Sequence, residues 1–207
     1  MTPQDYIARL RILMETRDWN GAEALCYEVC QVFATTRNWS GIKKFFSEVL
    51  ITGASGAVVS EVHSRVNNLQ ELVDGMQAAL LQAIEKADAD PLIRALYFEF
   101  DLSSGEEACG NFFLCQRYSR DPQDDWQSSF RVSGVKSEGI VDGPNVHANI
   151  DFDPDIEYGE LDSSIASAYG FAVLLAILGE AVERTEYRRL PIGFALHDSG
   201  ATIYIEP

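Results

Sequence analysis

The sequence predicts an α+β protein, with an N-terminal antiparallel helical bundle that includes one long helix, then a C-terminal antiparallel sheet with one packed helix. Three observations carry this expectation. Apolar residues recur at steps of three and four through residues 1–90. After Asp90-Pro91 the pattern changes to alternation in segments rich in aromatic residues. One apolar stretch of helical length then separates the last strands from the others. Pro91 is the expected boundary between a helical region, 1–90, and an α+β region, 91–207. At 207 residues with 46% hydrophobic content, the chain can fill a core, which excludes disorder over its whole length.

The first helix opens at Thr2-Pro3-Gln4-Asp5, with a cap, a proline at the first helical position and an acid in the first turn. Tyr6, Ile7, Leu10, Leu13 and Met14 give it one apolar face. The next two helices arise from a local repeat, because Thr16-Arg17-Asp18-Trp19-Asn20-Gly21 matches Thr36-Arg37-Asn38-Trp39-Ser40-Gly41. Asn20 and Ser40 read as their caps, each preceded by a tryptophan. Two copies make a helical hairpin and not an extended solenoid. The long helix is expected from the seam Val59, Val62, Val66, Leu69, Val73, Met76, Leu80, Ala83 and Ala87. That seam either packs against the three preceding helices or forms a coiled-coil homodimer. Packing is the simpler reading, since those helices need a partner, and Asn67-Asn68 or Gly75 are places for a bend or break.

Strands are expected over residues 92–101, 111–118 and 126–132, and a hairpin over 192–197 and 202–205. The apolar helix lies near residues 163–186. Gly143-Pro144 and Asp153-Pro154 are expected to break regular structure.

The charge is the strongest functional signal. The chain carries a formal net charge of -16. Residues 1–90 hold 12 acids against 8 bases, and residues 91–207 hold 20 against 8, so the excess lies in the second region. Asp142, Asp151, Asp153, Asp155, Glu157, Glu160 and Asp162 fall in a segment, 142–162, without one Lys or Arg. Such a block repels nucleic acid and anionic membrane and attracts a basic protein or a cation. The N-terminus lacks the apolar core of a secretory signal, and residues 165–178 are shorter than the ~20 a membrane span needs. A cytoplasmic protein is expected, with Cys26, Cys30, Cys109 and Cys115 as reduced thiols and not a zinc set, because neither pair has zinc-loop spacing.

Other motifs favour plain structural readings. Val49 to Gly56 (VLITGASG) is similar to the cofactor-binding opening of short-chain dehydrogenases, but the third glycine is missing, so a turn with Gly53 ending one helix and Ser55 starting the next is preferred. Asp151 to Asp162 spaces acids like a calcium loop but has Ile156 where the sharp turn requires glycine. His63, His147 and His197 join no recognisable catalytic motif, and Glu99 and Asp101 read as the polar face of a strand. Arg184, Arg188 and Arg189 fall where positive charge suits a helix C-terminus. No cofactor, metal or catalytic residue is expected.

Leu96 to Asp101 (LYFEFD), Asn111 to Cys115 (NFFLC) and Asp124-Asp125-Trp126 together resemble bacterial immunity proteins of polymorphic and contact-dependent toxin systems. That resemblance implies a small acidic cytoplasmic α+β protein that neutralises a toxin domain, often a basic nuclease. The expected partner-binding residues are Asp124, Asp125, Trp126, Asp151, Phe152, Asp153, Asp155, Glu157, Tyr158 and Glu160. Apolar anchors among charges suit an interface, since the anchors carry binding energy and the charges steer encounter. The alternatives are an adaptor or scaffold working through its N-terminal helices, and, further off, a hydrolase.

Overall fold

The computed structural model describes residues 1–66, 69–100, 109–121, 124–130, 139–145, 159–196 and 201–207. The expected α+β class is what the chain adopts. Its elements are α1 (Pro3–Glu15), α2 (Trp19–Thr35), α3 (Trp39–Gly53), α4 (Gly56–Arg65), α5 (Leu69–Ala89), β1 (Ala95–Phe100), β2 (Cys109–Cys115), a 3-10 turn (Gln127–Ser129), β3 (Ile140–Asn145), α6 (Glu160–Thr185), β4 (Ile192–Leu196) and β5 (Ile203–Ile205). They fall into two compact units, Met1–Leu69 with Ala148–Ile177, and Gln70–His147 with Leu178–Pro207. The described elements within 1–90 are all helices, as expected, but α5 belongs to the unit that holds the sheet.

In the first unit α1 packs on both α2 and α3, and α2 packs on α3. The cap of α1 is reciprocal. Thr2 Oγ1 accepts from the Asp5 N–H at 3.1 Å, and the Asp5 carboxylate accepts from the Thr2 N–H at 3.0 Å. These bonds hold the Asp5 carboxyl below the usual range. The repeat builds two matching joints. Arg17 and Arg37 adopt left-handed φ values of 56° and 51°. The Arg17 N–H donates to Met14 O and the Asp18 N–H to Leu13 O, while Arg37 donates to Ala34 O and Asn38 to Phe33 O. This is the Schellman arrangement, which satisfies carbonyls left free at a helix end.

The residue that completes each of these turns also begins the next helix. Asp18 Oδ1 accepts from the Gly21 N–H at 2.9 Å, and Asn38 Oδ1 from the Gly41 N–H at 3.0 Å. The caps are therefore Asp18 and Asn38, two residues before the expected Asn20 and Ser40. Glycine follows three residues later because a Cβ there would collide with the capping side chain.

Aromatic packing joins these helices. Tyr6 meets Phe45 and Phe46 edge-on at 5.9 and 5.4 Å, and Tyr27 meets Phe171 of α6 at 4.7 Å. Gly53 permits close approach, since a Cβ would stand 2.7 Å from Ile165 Cδ1.

The expected long helix is interrupted. Val66 leaves helical conformation with ψ of 60°, and α5 begins separately at Leu69. Within the chain Val62, Val73, Met76, Leu80, Ala83 and Ala87 are buried, while Val59, Val66 and Leu69 are half-buried. The seam is thus split between the two units.

In the second unit the strands lie in the order β3-β2-β1-β4-β5. The sheet is mixed and not wholly antiparallel. Pairs β1–β2, β2–β3 and β4–β5 are antiparallel, but β1 and β4 run parallel, with Leu96 opposite Ile192 and Phe98 opposite Phe194. Register sorts the side chains. Leu96, Phe98, Phe100, Phe112, Leu114, Ile192, Phe194, Ile203 and Ile205 share one face and are buried.

Two further expectations are corrected here. Over Trp126–Phe130 the chain forms a 3-10 turn and one bridge, Cys115 to Phe130, in place of a strand. The third strand is instead β3, which contains the Gly143-Pro144 pair expected to break structure. Proline lacks a ladder donor and is tolerated here because β3 is an edge strand among the described residues. The Phe98 ring explains two glycines, since a Cβ on Gly110 would strike it and one on Gly143 would lie 2.9 Å from Phe98 Cε2. Lys86 ties α5 to this edge, donating to Ile140 O at 3.3 Å.

Candidate functional site

Two features define the candidate binding region: the acidic segment, and the sheet face that carries Asp124 to Trp126. Alternation places Ala95, Tyr97, Phe113, Cys115, Ala195 and Tyr204 on the face opposite the phenylalanine layer. Trp126 lies on this face, fully buried. It stands edge-on to Tyr97 at 5.8 Å and to Tyr118 at 5.4 Å, with Tyr204 at 6.4 Å. Gly193 leaves the room, because a Cβ there would sit 2.9 Å from Trp126 Cη2. Phe113 and Phe130, at 4.8 Å, extend the cluster.

Residues 116–121 and 124–130 act as a strap over this face. The Gln116 N–H donates to Ser129 O at 3.2 Å, the Arg117 N–H to Ser129 Oγ at 3.1 Å, and Gln127 Nε2 to Thr202 Oγ1 at 2.8 Å. Three of its charged groups are tied down as well. Arg117 pairs with Asp124, and Arg120 and the Tyr118 hydroxyl both donate to Glu206 beyond β5. Burial, with the Glu206 carboxylate beside it, pushes the Tyr118 phenol up to about 12. Burial pushes the Cys115 thiol to about 12, so it stays protonated and unreactive near neutral pH.

These contacts place three of the expected binding residues. Asp125 is exposed, Asp124 is partly exposed and paired with Arg117, and Trp126 is sealed in the cluster. Trp126 therefore holds the strap down and presents no side-chain surface to a partner. Glu160 is exposed at the first turn of α6. Asp151, Phe152, Asp153, Asp155, Glu157 and Tyr158 lie outside the described residues, as do Asp101, His147 and His197. Of the remaining acids in 142–162, Asp142 is exposed on β3, opposite Asn111. Asp162 is structural: its Oδ1 accepts from the Ser55 N–H at 3.1 Å, at the start of α4.

That last bond also bears on the dehydrogenase-like motif. Val49 to Gly53 is the final turn of α3 and not a strand. Ser55 begins α4, in the turn arrangement expected for this segment, and its N–H is engaged by a carboxylate. A phosphate cradle is absent at this point. His63 is exposed on α4. Cys26 and Cys30 are free and buried in α2. Arg184 donates to Asp74 at 2.8 Å and to Gln70 at 3.3 Å, Arg188 pairs with Glu183, and Arg189 pairs with Asp88. Among the described residues no cluster of three or more His, Cys, Asp or Glu side chains is placed to hold a metal.

Sequence reasoning did not find the aromatic cluster, although Tyr97, Phe113, Tyr118, Trp126 and Tyr204 were its signal. Among the described residues one helix, α6, is long and apolar enough to cross a membrane, and it is mostly buried inside the protein, as a core helix is. Comparison with protein-family models, with curated proteins and with solved structures found no match to this chain.

Proposed function

We propose that this chain is a cytoplasmic immunity-type protein that neutralises a basic toxin domain by binding it through an acidic surface. The observation that carries the reading is the seven-carboxylate segment 142–162, free of Lys and Arg, in a chain of net charge -16. The pairing of the arginines adds to it. Arg9, Arg117, Arg120, Arg184, Arg188 and Arg189 each sit against a carboxylate of the same chain. Each such pair cancels locally, so the excess acids set the outward field. Asp151, Asp153, Asp155, Glu157 and Glu160 would stand in for phosphates against a basic cleft, with Asp125 and Asp124 extending the surface. Phe152 and Tyr158 would supply the apolar anchors, a role that Trp126, being buried, does not share.

Coexpression tests the reading. A toxic domain encoded immediately upstream should arrest growth alone and be silenced by this chain. In solution, opposite charge raises association rates by roughly 10–10³, and salt screens the effect. Replacing Asp151, Asp153 and Asp155 with Asn should slow association with that domain and flatten its salt dependence. Association kinetics unchanged across a salt series in the triple variant would defeat the proposal.

A further inference from the structure

Tyr6, Cys26 and Cys30 meet inside the first unit, where α1 packs on α2. Tyr6 and Cys30 are completely buried, and Cys26 is 7% exposed. The two cysteines are free thiols one helical turn apart on α2, hence on one face. Burial, and then the thiols of Cys26 and Cys30 beside it, push the Tyr6 phenol well above its ordinary range. Its hydroxyl lies beside sulfur but makes no hydrogen bond of good geometry among the described residues. Buried donors are nearly always satisfied, and an orphan one costs free energy. A phenylalanine, like Phe45 and Phe46 beside it, would fill the same space without that cost.

The spacing of the thiols limits what can join them. Residues four apart on a helix hold their Cβ atoms about 5–6 Å apart, whereas a disulfide needs about 3.5–4.5 Å. A direct S–S bond would therefore distort α2, but a single atom bound to both sulfurs spans the gap. That atom must be soft and content with two protein ligands. Among the described residues no third His, Cys, Asp or Glu completes a metal-holding group, and a structural zinc site needs four ligands. Copper(I) meets both conditions, since thiolates are its preferred ligands.

We propose that Cys26 and Cys30 bind one copper(I) ion as a pair of thiolates, with Tyr6 as the hydrogen-bond donor to the complex. The ion displaces both thiol protons to solvent, so that Cu⁺ and two S–H groups give a net negative S–Cu–S unit and two H⁺, with no change of oxidation state. That unit supplies the acceptor that the phenol O–H lacks. Burial, and then the neighbouring Cys26 thiol, push Cys30 well up, so without an ion it stays protonated and unreactive. Cys26, the less buried of the two, gives the side from which the ion enters. The proposal is independent of the acidic segment.

The test titrates the full chain, reduced and free of oxygen, with copper(I) held by a chromophoric chelator, and reads the ion passed to the protein. We expect one equivalent to transfer to the parent and to a Cys109→Ser variant, and none to Cys30→Ala at the same chelator concentration. Cys26→Ala should lose it as well, and stands in if Cys30→Ala does not fold. Tyr6→Phe should move two quantities in opposite directions. Without copper its denaturant midpoint should rise as the orphan hydroxyl goes, while its copper(I) affinity should fall at least about tenfold as the donor is lost. A merely structural tyrosine would not split them in this way. No transfer to the parent, transfer undiminished in both Cys26→Ala and Cys30→Ala, or loss with Cys109→Ser would overturn the proposal. So would a Tyr6→Phe variant that keeps the parent's affinity or lowers its midpoint.

Discussion

Arg17 holds a left-handed backbone at φ 56°, a region in which a side chain costs free energy and glycine does not. The side chain is exposed. We therefore expect Arg17→Gly to stabilise the protein by about 0.5–1 kcal/mol, net of the extra freedom glycine gives the unfolded chain. Denaturant midpoints of parent and variant measure this; a loss of stability would mean that the arginine side chain compensates for its backbone. The same residue explains why the caps, Asp18 and Asn38, stand two positions before the expected ones. Glycine or asparagine is the usual mark of a helix end, and Arg17 and Arg37 gave no such mark. Without that mark Asp18 and Asn38 do not stand out from Asn20 and Ser40, which precede equally apolar runs. The cap of α1 carried Thr2, Pro3 and Asp5 together and was legible.

At the scale of elements, the strap over the second sheet face is held at one end by Tyr118, Arg120 and Glu206. The phenol of Tyr118 is raised from its ordinary value of 10.0 to about 12. Its contribution to stability is full below the unfolded pKa and is lost as pH climbs through the folded one, between about 10 and about 12. Tyr118→Phe should accordingly flatten the dependence of stability on pH in that window. Tyr6 and Tyr187 are also raised, so the variant should remove part of the alkaline loss and not all of it. Denaturation at a series of alkaline pH values would show this; an unaltered slope would exclude Tyr118 as a contributor.

The strap also marks a limit of periodicity. Trp126 and Phe130 are spaced as in a strand, yet they cover a face and do not extend the sheet. Conversely, Gly143-Pro144 is turn chemistry placed in a strand that has one neighbour among the described residues. The seam of α4 and α5 keeps its steps through the break at Val66, so side-chain period alone concealed two helices. By contrast β1, β2, α6 and the hairpin of β4 and β5 were legible, because apolar content and length agreed.

For the whole molecule, a net charge of -16 sets a repulsive term against compactness. Salt should screen it, with a Debye length near 30 Å at 0.01 M falling to about 3 Å at 1 M. We expect the denaturant midpoint in urea to rise as sodium chloride is added over that range. A midpoint that falls would indicate that the ion pairs of Arg117, Arg120, Arg184, Arg188 and Arg189 outweigh the repulsion. The same charge made the acidic segment legible as a candidate surface. Its division into roles was not, because a carboxylate that caps a helix start, such as Asp162, and one free to meet a partner look alike in sequence.

The parallel pairing of β1 with β4 imposes an order of assembly. Leu96 sits beside Ile192, so the middle strand of the sheet stays unpaired on one side until nearly a whole region of chain has been made and threaded back. A hairpin of β1 and β2 forms from neighbours, but its open side displays unpaired peptide groups next to Phe98 and Phe100, the pattern that invites wrong partners. Contacts of such long sequence separation also slow the search for the native state. Cells that make this protein must carry each new molecule through an interval in which its most aggregation-prone strand waits for its neighbour.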